Sequence, residues 1–257
     1  MGRVLVRLIH ESPGVKLVGA LDRPGSERVG RDAGEIAGIG KVGVLVTDNL
    51  VVQGASRCVA VDFTRPEATV SIMKTLAKAG IPVVIGTTGF STSQLARIRK
   101  LAEKIPIVLA PNTSVGINVL TGLVEQVAGI LGDTYDVEIV EAHHRYKRDA
   151  PSGTALALGQ AAAKVLKRNL NRVTVAGRKG LTPRTKTEIG MLSVRAGDIA
   201  GEHTVFFGGI GERIELTHRA HSRDAFGHGA IHAAHWLAGK QNGIYTMRDV
   251  LGLVTNG

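Results

Sequence analysis

Cysteine is nearly missing from this 257-residue chain: Cys58 is the single one. One thiol cannot build an internal disulfide framework, and such usage fits a reducing cytoplasm. Cys58 lies in the apolar stretch Cys58-Val59-Ala60-Val61, where core packing is its expected role. Aromatic residues are scarce at 4%, too few for a base-stacking surface, and no nucleic-acid motif with its required spacing occurs. No apolar run is expected to reach the roughly 18–20 residues of a membrane span. The N-terminus lacks an apolar segment followed by a cleavage site. Internal repeats and low-complexity segments are absent as well. Together these absences point to a cytoplasmic protein with no nucleic-acid and no membrane partner.

What is present is basic charge, glycine and periodicity. The formal net charge is +10, from 32 Lys+Arg against 22 Asp+Glu. Without a polyanion-binding motif, that excess suits a generally basic surface or a small anionic ligand. The first two-thirds alternates strands with helices. Val15–Asp22 reads as a strand ending in an acid, and Cys58–Phe63, Ile81–Gly86 and Pro106–Ala110 as short apolar strands. Helices fall between them, over about 64–79 and 93–104. Continuous β-branched runs separated by helical periods predict a parallel sheet covered on both faces.

The pattern changes after Asn112. A long helix is expected over about 116–131, then an alternating strand Val137–Glu141, then a helix through Lys167. Three strand-like runs follow, at Glu188–Arg195, Glu202–Phe207 and Arg213–His218; their short connections predict antiparallel pairing. The tail from Ala225 is helical again. The expectation is an α/β chain: a Rossmann-like parallel-sheet domain from 1–113 and 225–257, and an α+β domain with an open mixed sheet from 114–224.

The most informative run is Glu141-Ala142-His143-His144-Arg145-Tyr146-Lys147-Arg148-Asp149-Ala150-Pro151-Ser152-Gly153-Thr154-Ala155-Leu156. Ser152 is an expected N-cap, which leaves the amides of Gly153 and Thr154 among the first four N–H groups of a helix, those with no intrahelical partner. Glycine admits close approach, and the helix dipole favours an anion such as a carboxylate there. A capped helix with water on those amides is the plainer alternative. His143 and His144 supply groups that can donate a proton near neutrality, and Lys147, flanked by Arg145 and Arg148, adds positive potential. A metal site is not expected, since adjacent histidines lack the i, i+4 helical spacing and no cysteine pair is near.

Two weaker features lie earlier. Gly86-Thr87-Thr88-Gly89-Phe90 and Ala110-Pro111-Asn112-Thr113 each follow an apolar strand, and open α/β sheets bind ligands outside the carboxyl ends of their strands. Asp22 ends the Val15–Asp22 run, where an acid accepts hydrogen bonds from an adenosine ribose; Arg23 beside it would accommodate a 2′-phosphate. Taken alone, Asp22-Arg23 is more often only a turn.

With these pieces in order, the chain resembles the 4-hydroxy-tetrahydrodipicolinate reductase (dihydrodipicolinate reductase) family over essentially its whole length. The run Glu141–Ala155 carries the resemblance nearly residue for residue. Asp62-Phe63-Thr64-Arg65-Pro66, Gly86–Phe90, Arg195-Ala196-Gly197-Asp198-Ile199 and Gly201-Glu202-His203-Thr204 add to it. The resemblance implies His143 as proton donor and Lys147 as the second catalytic residue. It implies that His144 and the amides of Gly153 and Thr154 bind substrate carboxylates. Asp22, Arg23, Gly86, Thr87, Thr88, Ala110, Pro111, Asn112 and Thr113 are implied to contact NADH or NADPH. It further implies hydride transfer to a cyclic dicarboxylate in the diaminopimelate route to lysine, and a homotetramer joined through the second-domain sheets.

The chain departs from the family at its start. Members begin with a strand and a glycine-rich loop whose last residues resemble Met1-Gly2-Arg3. That strand and the earlier glycines are not found here, so the expectation is a start at an internal methionine of a longer product. Arg3–Ile9 is either a substitute strand or a helix; the family match and the Ser12-Pro13-Gly14 stop favour the helix. Thr113 also stands where many members carry an aromatic. Three readings follow: a reductase, a catalytically impaired relative that binds the dicarboxylate but holds dinucleotide poorly, and, least favoured, a basic nucleic-acid-binding module.

Overall fold

The computed structural model describes residues 1–50 and 57–253. The expected first domain also takes in residues 51–56 and 254–257, which lie outside the described residues. The chain runs α1 (Gly2–Glu11), β1 (Ala20–Leu21), α2 (Ala33–Ala37), β2 (Val46–Thr47), β3 (Ala60–Asp62), α3 (Pro66–Lys78), β4 (Val83–Ile85), α4 (Thr92–Ala102) and β5 (Pro106–Leu109). It continues α5 (Val115–Leu131), a 3-10 turn Gly132–Thr134, β6 (Asp136–His143), α6 (Gly153–Val165), α7 (Leu170–Val173), β7 (Thr174–Ala176) and β8 (Ile189–Arg195). It closes with β9 (Gly201–Gly208), β10 (Arg213–Ala220), α8 (Asp224–Leu237), β11 (Gly243–Tyr245) and α9 (Met247–Val250). Two compact units result: Met1–Val115 with Arg223–Gly257, and Gly116–Ser222.

The first unit holds a four-stranded parallel sheet in the order β11-β5-β4-β3, with β1 and β2 paired separately. Val83, Val84 and Ile85 are fully buried, as a strand covered on both faces must be. Local signals set the helices. Pro66 opens α3, Asp32 caps α2 by accepting from the amides of Gly34 and Glu35, and Ser91 with Gln94 forms a capping box on α4. The strand expected over Val15–Asp22 shrinks to Ala20–Leu21. Only those two residues find ladder partners, Val46 and Thr47, and Val18 is exposed.

The N-terminal segment is the helix α1, not a substitute strand. Its apolar residues Val4, Leu5, Leu8 and Ile9 recur at helical spacing, and Leu5 and Leu8 are buried. Arg7 bridges to Asp224 at 2.7 Å and to Glu11 at 3.1 Å, fastening α1 to α8. A Cβ at Gly227 would stand 2.4 Å from Leu8 Cδ1, so α8 needs glycine to come this close.

The second unit is a five-stranded mixed sheet, β10-β9-β6-β8-β7, backed by α5 and α6. Here the structure corrects the expected pairing. β9 and β10 form an antiparallel hairpin, but β8 runs parallel to β6, which lies between β8 and β9. β6 earns the centre because its alternating side chains suit one buried face and its length satisfies ladders on both edges. The link 196–200 therefore arches over the end of β6. Ala196 N–H donates to the His143 carbonyl at 3.0 Å, and Arg145 N–H to the Gly197 carbonyl at 3.2 Å.

Val137, Ile139, Ile189, Met191, Val205 and Phe207 form the buried face, against Ile117, Leu120, Val124 and Ala128 of α5 and Leu158 and Ala162 of α6. Gly159 permits the contact, since a Cβ there would meet Met191 Cε at 2.2 Å. One expectation about long apolar runs needs correction: Val115–Thr134 is long and apolar enough, by length and composition, to cross a membrane. Its buried positions Ile117, Leu120, Val124 and Ala128 nevertheless follow the stripe of a helix packed on a core.

Candidate functional site

Strand β6 turns polar at its carboxyl end. Residues two apart share a face, so Glu141 and His143 continue the face on which Val137 and Ile139 are buried. Across the ladder, Glu141 stands opposite His203 of β9 and Ser193 of β8, and His203 opposite His218 of β10. Arg195, at the end of β8, stands opposite His143. The sheet thereby lines up a row of ionisable groups at one end of an otherwise apolar face.

Glu141 is 1% exposed and fully engaged. Arg195 Nη1 and Nη2 donate to its two oxygens at 2.8 and 2.7 Å, the Ser152 amide donates at 3.1 Å, and His143 Nδ1 lies 2.5 Å from Oε2. Burial alone would raise its pKa, but the hydrogen bonds from Arg195, Ser193 and His143 prevail and hold it at about 2. The His143 imidazole is pushed down, chiefly by burial; Glu141 opposes this, while Lys147 and Arg195 add to it. His203 meets His143 edge-on at 5.1 Å, and burial with the neighbouring His143 holds it at about 4.

Ser152 caps α6. Its Oγ accepts from the Ala155 amide at 3.1 Å and bonds His203 Nε2 at 3.0 Å. Gly153, exposed, and Thr154, half-buried, begin the helix as the sequence predicts. Lys147 reaches Asp149 Oδ1 at 2.9 Å. That Lys147 hydrogen bond is the main reason the Asp149 carboxyl is held low, and the Gly153 amide contributes further. A carboxylate of the chain itself thus rests on Lys147, the expected second catalytic residue. His144 follows the strand, half-buried, and its Nδ1 has no hydrogen-bond partner among the described residues. Among those residues no cluster of His, Cys, Asp or Glu is arranged to hold a metal.

In the first unit, β3, β4 and β5 pair in parallel, so Asp62–Thr64, Gly86–Thr88 and Ala110–Thr113 emerge at the same end of the sheet. Thr88 and Pro111 are exposed, Asn112 is half-buried and Ala110 is buried. Two hydroxyls turn inward: Thr87 accepts from Thr69 at 3.0 Å, and Thr113 donates to the Phe226 carbonyl at 2.7 Å. Gly86 has a packing reason of its own, because a Cβ there would lie 2.3 Å from the Phe63 ring. Asp22 follows β1. Its carboxylate accepts from the Arg23 amide, Ser26 Oγ and Arg28 Nη1 at 2.8, 2.8 and 2.9 Å; burial works against ionisation there, and these bonds overcome it. The Arg23 side chain is exposed.

Four members of the second-unit cluster were not marked as site residues by sequence: Glu141, Arg195, Asp149 and His203. The Glu-x-His spacing within a strand was the available signal for Glu141. Arg195 and His203 come from strands whose register the sequence did not reveal.

Known proteins with this sequence and architecture point one way. Residues 1–113 match the family model described as dihydrodipicolinate reductase, N-terminus, and residues 116–251 the one described as dihydrodipicolinate reductase, C-terminus. A 4-hydroxy-tetrahydrodipicolinate reductase of Alkalilimnicola ehrlichii is 52% identical over 254 residues, covering 98% of this chain and 95% of the relative. One from Thiobacillus denitrificans is 53% identical over 257 residues, with the same coverage. Among solved structures, a dipicolinate-bound dihydrodipicolinate reductase from Paenisporosarcina sp. TG-14 superposes with a TM-score of 0.71 at 25% identity, covering 95% of this chain and 92% of that one. An amine dehydrogenase from Mycobacterium smegmatis, TM-score 0.59 at 14% identity over 96% of this chain and 92% of its own, shares the fold. With both family models spanning nearly its full length and relatives half identical to it, this chain belongs to the dihydrodipicolinate reductase family.

Proposed function

We propose that the second unit binds the substrate dicarboxylate and delivers the proton, while the first unit holds the nicotinamide cofactor, in reducing 4-hydroxy-tetrahydrodipicolinate to tetrahydrodipicolinate. The chain is an NAD(P)H-dependent reductase by family, and no relative favours the impaired alternative. The observation that carries the residue assignment is Asp149: its carboxylate sits on Lys147 at 2.9 Å, in the segment that links the Glu141–His143 pair to the start of α6. A donor set that accepts an internal carboxylate suits a substrate bearing two. The related structure with dipicolinate bound supports the same ligand class.

In this reading His143 donates the proton and Lys147 is the second catalytic residue. His144 and the amides of Gly153 and Thr154 take the carboxylates, with the helix start favouring their charge. Lys147 stabilises negative charge more strongly as water leaves. The bound cofactor supplies hydride. The first-unit residues fit such a group: three strand ends share one edge, and the buried Asp62 Oδ2 lacks a hydrogen-bond partner among the described residues, so a ligand hydroxyl or amide would satisfy it. Asp22 and Arg23 would meet the adenosine end, and Gly86, Thr87, Thr88, Ala110, Pro111, Asn112 and Thr113 the rest, Thr87 and Thr113 through backbone. NADH and NADPH are both accommodated, since Asp22 suits a free ribose and Arg23 a 2′-phosphate.

A homotetramer joined through the second-unit sheet is supported by its outer face, where Leu192 and Val194 are more than 40% exposed. A cytoplasmic location agrees with the single cysteine.

The test supplies the purified protein with the product of dihydrodipicolinate synthase and follows oxidation of NADH and of NADPH. Turnover is expected, competitive inhibition by pyridine-2,6-dicarboxylate is expected, and His143→Gln is expected to lower kcat by about 10²–10⁴-fold. No oxidation of either cofactor, together with no binding of pyridine-2,6-dicarboxylate, would overturn the reading.

A further inference from the structure

We propose that Glu141 is a positioning residue for His143: fixed by Arg195 and by the Ser152 amide, it holds the His143 Nδ1 proton, so that Nε2 is the nitrogen that takes up and delivers the catalytic proton. The proposal rests on the reading of His143 as proton donor.

Both Glu141 oxygens are committed before any ligand arrives. Arg195 takes them as a fork at 2.8 and 2.7 Å, and the Ser152 amide adds a third bond at 3.1 Å. A carboxylate paired with a planar guanidinium in this way stays ionised and keeps its plane. An ionised carboxylate only accepts, so the nitrogen 2.5 Å from Oε2, His143 Nδ1, carries a hydrogen. A neutral imidazole has one N–H, and the lone pair then resides on Nε2. The strand enforces the contact, because Glu141 and His143 are two residues apart on one face of β6.

The opposite edge of the ring is kept clear. Nε2 passes over Gly201, where a Cβ would lie 3.1 Å away; the bare backbone leaves that edge uncrowded. His203, the nearest ring, has its Nε2 on Ser152 Oγ and does not compete for either His143 nitrogen. The charged and titratable groups around the ring are Glu141 from β6, Lys147 from the following turn, Arg195 from β8 and His203 from β9. Of these, only Glu141 favours the imidazolium. A dianionic ligand adds negative charge and shifts the same balance, so proton uptake at Nε2 accompanies substrate binding.

A merely structural Glu141–Arg195 pair would hold the fold together and leave the tautomer to chance, and Arg195 also donates to the Asp149 carbonyl at 2.6 Å. The measurement that separates the two is the histidine tautomer in the intact wild-type chain, read from long-range ¹H–¹⁵N correlations of the imidazole nitrogens, with His143→Gln assigning the signals. The expected result is Nδ1–H for His143. A predominantly Nε2–H ring overturns the proposal without any Glu141 variant having to fold.

Two substitutions then read the function. Glu141→Gln keeps the shape and removes the charge, and Glu141→Gln with Arg195→Met avoids stranding a half-buried cation. In each, kcat is expected to fall at least tenfold with KM for the dicarboxylate changed less than threefold. The high-pH fall of kcat is expected to move to lower pH, since losing the carboxylate makes His143 easier to deprotonate. Unchanged kcat and an unmoved high-pH limb in a folded variant overturn it. If His143→Gln itself retains wild-type turnover, the proton-donor reading fails instead, and the tautomer result alone judges whether Glu141 orients the ring.

Discussion

Along β6, Val137 and Ile139 enter the core, and Glu141 and His143 enter the same face a few ångströms further on. The same contrast recurs on β9, where Val205 and Phe207 are followed toward the site end by His203 and Gly201. One end of the sheet is thus an apolar contact with α5 and α6, and the other a row of ionised and hydrogen-bonded groups. Alternation alone does not distinguish them, because all of these side chains are buried. The difference lies in what burial demands: the apolar end needs only shape, whereas every polar atom at the other end needs a partner.

The largest separation of the two ends should come from Phe207→Ala. Phe207 is 1% exposed at the apolar end, so truncation is expected to cost about 3–5 kcal/mol in denaturant unfolding. Turnover per folded molecule should stay within twofold. A matching drop in kcat would show that the ends are not independent.

The second expected effect is on acid stability. His203 titrates at about 4 in the fold against an ordinary 6.5, so between those values the unfolded chain binds a proton that the native one refuses. Stability from this group is therefore complete above about pH 6.5 and falls with pH toward 4, by up to ~3 kcal/mol. His203→Asn should flatten that slope in unfolding curves recorded across the window; an unaltered slope would place the acid sensitivity elsewhere.

The smallest effect tests the polar end against a ligand. Asp149→Asn removes the carboxylate now on Lys147, and pyridine-2,6-dicarboxylate should then bind several-fold more tightly by calorimetry. Weaker binding would mean that Asp149 orients Lys147 instead of standing in a ligand's place.

Much of this contrast was legible in the sequence. The Glu141–Leu156 run announced histidines, cations and a helix start, and Ser152 caps that helix as its neighbours predict. Short apolar strands such as Val83–Ile85 were visible because a parallel sheet buries every residue. What the chain could not disclose was register. The short link between Glu188–Arg195 and Glu202–Phe207 suggests antiparallel neighbours, yet β6 intervenes, and only that insertion brings Arg195 to Glu141. Local pattern also overstated β1, since Val15–Gly19 have strand-like residues but pair with no strand among the described residues. In the first unit, Gly86 is explained by Phe63 and Thr113 by Phe226, non-local contacts that no loop motif contains.

The arch over β6 has a mechanical consequence. Its feet are Arg195, which holds the Glu141 carboxylate that faces His143 Nδ1, and Gly201, which lies against Nε2, and its amide and carbonyl are tied to residues 143 and 145. Crossing two strand spacings takes about 9.6 Å, well within the reach of five residues, so the remaining length is spent in the curve. Both feet are ladder residues, Arg195 opposite His143 and Gly201 opposite Ala220, so the sheet fixes where the curve begins and ends. The partner of one nitrogen and the clearance at the other are therefore set by one short segment, like the two jaws of one clamp.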